Sequence, residues 1–163
     1  MPDTNKENKQ NINYKVLLCA CKKYIKNQKN GILLVNIKEN ESAKDNEKMN
    51  YIFYDTKNFE VYCFCPISIY DNTMIIKNAE SKKENTDYFL VGGFDNNKKK
   101  GIIKLYKVNY GIEYDKTTIE YIQDIIFANE NNNMKGFRGP ISSITQSNID
   151  GKILVTCWDG NVY

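Results

Sequence analysis

One unit recurs three times along this chain, and that recurrence limits the possible folds more than any single motif. The unit is an apolar run, small residues, a polar turn and a second apolar run. Leu17-Leu18-Cys19-Ala20-Cys21 leads to Gly31-Ile32-Leu33-Leu34-Val35-Asn36-Ile37. Phe89-Leu90-Val91-Gly92-Gly93-Phe94-Asp95 leads to Gly101-Ile102-Ile103-Lys104-Leu105-Tyr106-Lys107-Val108. Ile153-Leu154-Val155-Thr156-Cys157-Trp158-Asp159 leads to Gly160-Asn161-Val162-Tyr163. A second correspondence lies upstream of the later copies, between Phe64-Cys65-Pro66-Ile67 and Phe137-Arg138-Gly139-Pro140-Ile141. Repeats of this kind are supersecondary units that cannot bury an apolar face alone, so neighbours stack to bury it.

The apolar runs are short and rich in β-branched and aromatic residues, and no segment keeps a helical period between caps. Strands are expected at 14–21, 32–37, 51–54, 59–70, 87–94, 102–110, 117–127, 141–146 and 152–157. Asn30-Gly31 reads as a turn. Alternation places Phe59, Val61, Cys63 and Cys65 on one side of their strand, and Ile119, Tyr121, Gln123 and Ile125 on one face of theirs. Pro66 interrupts its run, which suits an edge or strand-entry position. The expected class is all-β: a partial β-propeller of about two and a half antiparallel four-stranded blades. A blade with short loops takes about 40–45 residues. The excess here falls in polar insertions at 38–50, 71–86 and 129–135. The blade parts are about 14–56, 59–128 and 139–163, preceded by a polar tail over 1–13 that has little to bury and is expected to be disordered.

Gly139-Pro140-Ile141-Ser142-Ser143-Ile144 resembles the innermost strand of a WD40-repeat blade, and residues 153–163 resemble the hairpin that follows it. The Asp159-Gly160 pair matches the Asp-Gly often found in that family's second turn. The resemblance covers residues 14–163 and is divergent. Trp158-Asp159 lies one turn too early to be the family's Trp-Asp, whose place is taken by Tyr106-Lys107 and Val35-Asn36. The family's Gly-His is missing, because the chain has no His. The resemblance implies a non-catalytic protein-interaction scaffold whose partners are other proteins. Closed propellers have about 4–8 blades, so it also implies a fragment completed by further blades of a longer chain.

Without His, Ser-His-Asp and Cys-His relays and His-based metal sites are excluded. No catalytic residue, metal site or cofactor is expected. Val91-Gly92-Gly93-Phe94 lacks the Gly-Lys-Ser/Thr ending of a phosphate loop, and its glycines instead suit close approach of neighbouring strands. Cys19-Ala20-Cys21 and Cys63-Phe64-Cys65 each place two thiols on one side of a strand, a pattern that would suit zinc if the pairs met. Their apolar setting favours plain packing. The formal charge is +3, from 23 basic and 20 acidic residues. That balance gives no reason to expect nucleic acid as a partner. No secretory leader, no membrane-spanning run and five Cys point to a reducing, intracellular setting, in the cytoplasm.

The candidate partner-binding residues are Lys98, Lys99 and Lys100, in a turn equivalent to the one carrying Lys22-Lys23, and Phe137-Arg138 beside Gly139-Pro140. Asp159 and Gly160 are expected to serve as structural turn residues. Two other readings rank behind the scaffold. One is a basic rim that binds RNA or phosphorylated ligands; the other is a propeller enzyme, for which no convergent carboxylates are visible.

Overall fold

The computed structural model describes residues 14–21, 29–38, 50–67, 86–111, 116–125 and 136–163. The tail at 1–13, the insertions at 39–49, 71–85 and 129–135, and Lys22-Lys23 lie outside the described residues.

The chain is all-β, and its strands pair antiparallel throughout. β1 (Tyr14–Cys21), β2 (Asn30–Lys38) and β3 (Asn50–Lys57) form a first sheet in that order. β4 (Phe59–Ile67), β5 (Thr86–Asp95), β6 (Lys100–Asn109) and β7 (Thr118–Ile125) form a four-stranded second sheet. β8 (Ile141–Gln146) and β9 (Ile153–Cys157) form a third, and Val162 adds a bridge to Thr156. Among the described residues only the middle sheet has four strands, and the three sheets do not close a ring.

Central strands read as continuous apolar runs because both of their faces are covered. β6 buries Ile102, Tyr106 and Val108 on one side and Ile103 and Leu105 on the other. The first set meets Ile32, Leu34, Phe59, Val61, Phe89 and Val91 in one core between the first and second sheets. The second set meets Cys65, Leu90, Ile141, Ile144, Val155 and Cys157 in a core between the second and third. Burying one such aliphatic side chain contributes about 1.5–3 kcal/mol. Tyr106 anchors an aromatic cluster: it stacks on Phe89 at 5.7 Å and meets Tyr54 and Tyr121 edge-on.

Two side-chain alternations read from the sequence are broken by β-bulges. In β4, Val61 pairs with Gly93 but Cys63 pairs with Gly92, so Tyr62 is an extra residue. Phe59 and Val61 therefore face the first core, while Cys63 and Cys65 face the second, rather than sharing one side. In β7, Leu105 pairs with Gln123 but Tyr106 pairs with Tyr121, leaving Ile122 unpaired. Ile119 and Ile125 consequently serve different cores.

Two alignments are corrected in the same way. β8 carries its own bulge: Ile141 pairs with Cys157, and Ser143 with Thr156. Val61, Tyr62 and Cys63 are thus matched by Ile141, Ser142 and Ser143, not by residues aligned through their prolines. Pro66 sits late in edge strand β4, opposite Phe89, whereas Pro140 precedes β8. In the first hairpin, Ile32 and Ile102 meet in the same core from opposite sheets, so they are not equivalents. Leu18 and Leu34 form the pair matching Leu90 and Leu105, a slip of one residue that reverses the faces. Asn30-Gly31 is not a turn but the start of β2, with an irregularity between the two residues.

The glycines of β5 and β6 let the layers close. A Cβ on Gly92 would lie 2.6 Å from both Cys63 Sγ and Ile141 Cγ2, and one on Gly101 would run into the Gly139 carbonyl. These contacts bring the third sheet against the second along its inner strands.

Candidate functional site: a rim of turns

Pairing brings the ends of several strands to one rim. Phe59 pairs with Asp95, and Asp95 with Lys100. The turn at Lys57-Asn58, the turn at 96–99, the segment 136–140 and the turn at 158–161 therefore lie at the same end of the stack. Backbone bonds tie them together. Asn96 N donates to Asn58 O at 3.0 Å, Gly101 N to Phe137 O at 3.2 Å, and Trp158 N to Pro140 O at 2.9 Å.

Two aspartates shape the turns. Asp95 is buried and accepts from the backbone N–H groups of Asn97 and Lys98 at 2.9 and 3.0 Å. This allows the reversal in which Lys99 takes a φ of 53°. Asp159 accepts from Asn161 N at 3.0 Å, while Gly160 supplies the left-handed φ of 85°. The other oxygen of Asp159 accepts from Arg138 N at 3.1 Å and the Tyr163 hydroxyl at 3.0 Å. Desolvation pushes this carboxyl up, but the Asn161 and Arg138 amides and the Tyr163 hydroxyl outweigh it and hold it at about 2. Asp159 thus pins the 136–140 segment to its own turn.

The lysine turn and the Phe137-Arg138 segment are separate in sequence and adjacent here. The Lys100 side chain runs beside Gly136, and its neighbour Gly101 bonds to Phe137. Their contributions differ. Lys98 is engaged by Asp124 at 3.2 Å, and Asp124 also holds Lys104 at 2.9 Å. Desolvation raises the Asp124 carboxyl, yet the two ammonium groups and the Tyr121 hydroxyl leave it below its ordinary value. Lys99, Lys100 and Arg138 are exposed. Phe137 is not a surface group: it is 6% exposed, packs in the second core and meets Tyr163 edge-on at 4.8 Å. An aromatic flanked by Gly and Arg looks displayed in sequence, but the bond from Gly101 turns it inward.

Sequence reasoning missed the aromatic part of the rim. Trp158 is 65% exposed and meets Tyr62 at 5.3 Å. The Tyr62 hydroxyl donates to Glu60 at 2.9 Å, and Glu60 also accepts from the Asn96 side chain at 3.0 Å. The bulge displays Tyr62 here. Its only sequence signal is an aromatic at an off-phase position of an alternating run.

The two Cys-x-Cys pairs do not meet. Cys19 pairs with Leu33 and Cys21 with Gly31, on the side of the first sheet turned away from the second. Cys63 and Cys65 line the opposite side of the second sheet. Burial pushes the Cys63 thiol up to about 11 and raises those of Cys65 and Cys157. Among the described residues no group of three or more His, Cys, Asp or Glu could hold a metal ion. No described helix is long and apolar enough to cross a membrane. No family model, curated protein or solved structure matches this chain.

Proposed function

We propose that the chain is an intracellular, non-catalytic protein-interaction scaffold, part of a divergent WD40-like propeller whose rim of turns receives another protein. The observation that carries this reading is the convergence of exposed Trp158, Arg138, Lys99 and Lys100 on one rim whose backbone is fixed from several sides. Trp and Arg dominate binding energy at protein interfaces, and a pre-ordered backbone lowers the entropy cost of docking. The blade assignment is supported by the bulge repeated in the first strands of the second and third sheets, at Tyr62 and Ser142, and by the face-to-face order of the sheets. Further blades of a longer chain would complete such a propeller.

A photo-crosslinking residue at position 138 tests the rim, with one at Ile149 as control. Ile149 is 98% exposed in the turn at the far end of β8 and β9. The reading predicts discrete protein adducts from position 138 that Trp158→Ala weakens at least about tenfold, the cost of a moderate interface anchor. Equal labelling from both positions contradicts it.

The basic-rim reading is favoured by one observation, the approach of Lys100 to the Arg138 segment. It predicts binding of polyuridine RNA at low salt, with a slope against salt that falls when Lys99 and Arg138 become Gln. The pairing of Lys98 with Asp124 leaves it second.

A further inference from the structure

The carboxylates of the rim are turned into its own framework, and some of its cations are not. Asp55 accepts from Lys57 N at 2.8 Å and pairs with Lys29. Asp95 and Asp159 hold their turns, Asp124 holds Lys98 and Lys104, and Glu60 accepts from Tyr62 and Asn96. Lys57, Lys99, Lys100 and Arg138 are exposed, and among the described residues none of their side chains forms a salt bridge.

Two of these lysines sit against backbone preference. Lys57 and Lys99 have φ of 57° and 53°, in the left-handed region where glycine is unstrained. Among the described residues they are the only non-glycine residues there. The hydrogen bonds of Lys57 use its N–H and carbonyl, which glycine would supply equally.

The four cations form one track across three sheets. Lys57 ends the first sheet, and Asn58 beside it bonds to Asn96 of the turn that carries Lys99. Lys100 runs beside Gly136, and Arg138 follows in the same segment. The track does not depend on where the stack ends: the middle sheet is covered on both faces, and its turn at 97–100 is still exposed. Sheets packed face to face lie about 10 Å apart. An extended peptide advances about 3.3 Å per residue, so carboxylates three residues apart match that spacing. A nucleic-acid strand carries a charge about every 3.4 Å, which is denser than this track.

We infer that the rim receives an extended acidic segment of its protein partner, with Asp or Glu at every third residue over Lys57, Lys99-Lys100 and Arg138. This rests on the rim as a protein-docking surface and names the chemistry it selects.

Fluorescence anisotropy of the whole chain tests it. The probe is a labelled peptide of about ten residues, long enough to span three sheets, with Glu at every third position; the control has Gln there. The Glu peptide should bind at low salt and lose affinity as salt rises. Lys99→Gly and Arg138→Gln should each weaken it about twofold to fivefold, and together with Lys57→Gly by at least about tenfold. The two glycine substitutions should keep or raise the thermal midpoint, so weaker binding is not loss of fold. A Glu peptide that binds no better than the Gln peptide overturns the inference, as does a triple variant with wild-type affinity. Tighter binding of polyuridine than of the Glu peptide at the same salt also overturns it. Discrete adducts from position 138 with proteins that lack an acidic segment contradict the inference and leave the rim's role intact. Equal labelling from positions 138 and 149 instead removes the docking surface itself, and the inference with it.

Discussion

At the scale of single residues, small side chains and turn carboxylates decide what the layers can do. A Cβ at Gly93 would run into the Glu60 carbonyl and sit 2.8 Å from the Phe59 ring. Gly93→Ala should lower stability by about 1–3 kcal/mol, the usual cost of overpacking. Gly136→Ala, whose Cβ would meet Lys100 Cδ at an ordinary 3.6 Å, should stay within about 0.5 kcal/mol of wild type. Urea unfolding of the two variants checks the contrast. Asp159 carries a pH signature. Its folded pKa, about 2, lies below the unfolded value of about 3.9. Its contribution is therefore fully present above about pH 4 and is lost as pH falls toward 2. Asp159→Asn should unfold at lower urea at pH 7 and show a flatter loss between pH 4 and 2. A variant with the wild-type acid limb would show that Asp159 does not pin the rim. Burial holds Cys63 at about 11, so at pH 8 only about a thousandth of it is thiolate. Iodoacetamide should label it in urea and leave it unmodified in the folded chain, as peptide mass spectrometry would show.

At the scale of elements, strand positions were legible because apolar runs bounded by polar turns carry the signal directly. Tyr14–Cys21 and Ile141–Gln146 are recovered as expected. Register was not legible. The alternation of Phe59, Val61, Cys63 and Cys65 continues unbroken through the residue that reverses the face, since both faces of this strand pack against a core and either phase satisfies the pattern. The same ambiguity let Ile32 be aligned with Ile102. The rim was legible in part. Lys99, Lys100 and Arg138 are charged and flanked by turn residues, whereas Phe137 is drawn inward by a bond from Gly101 that joins distant parts of the chain. Deleting Tyr62 tests the bulge. With the extra residue gone, Val61 and Cys63 become neighbours and pair with Gly93 and Gly92 in plain alternation, so each keeps the core it faces. Thermal unfolding followed by circular dichroism should keep its cooperative transition in the deletion variant, as in Tyr62→Ala; loss of the transition in the deletion variant alone would contradict the bulge.

At the scale of the molecule, three sheets stack with one polarity, and among the described residues the middle sheet is the only one with both faces covered. Its inner strands should be the last to exchange: amides of β5 and β6 should outlast those of β1 and β9 in native-state hydrogen exchange. The rim then follows from the stack, because aligned strand ends bring their turns together whatever the loops between them do. The central claim is the register repeated in the first strand pair of the second and third sheets. Backbone NOEs across β4–β5 and β8–β9 test it most directly. The account predicts contacts of Val61 with Gly93 and Cys63 with Gly92, repeated as Ile141 with Cys157 and Ser143 with Thr156, with Tyr62 and Ser142 skipped in both. Unbroken pairing through either residue, or a bulge in only one of the two sheets, would contradict it.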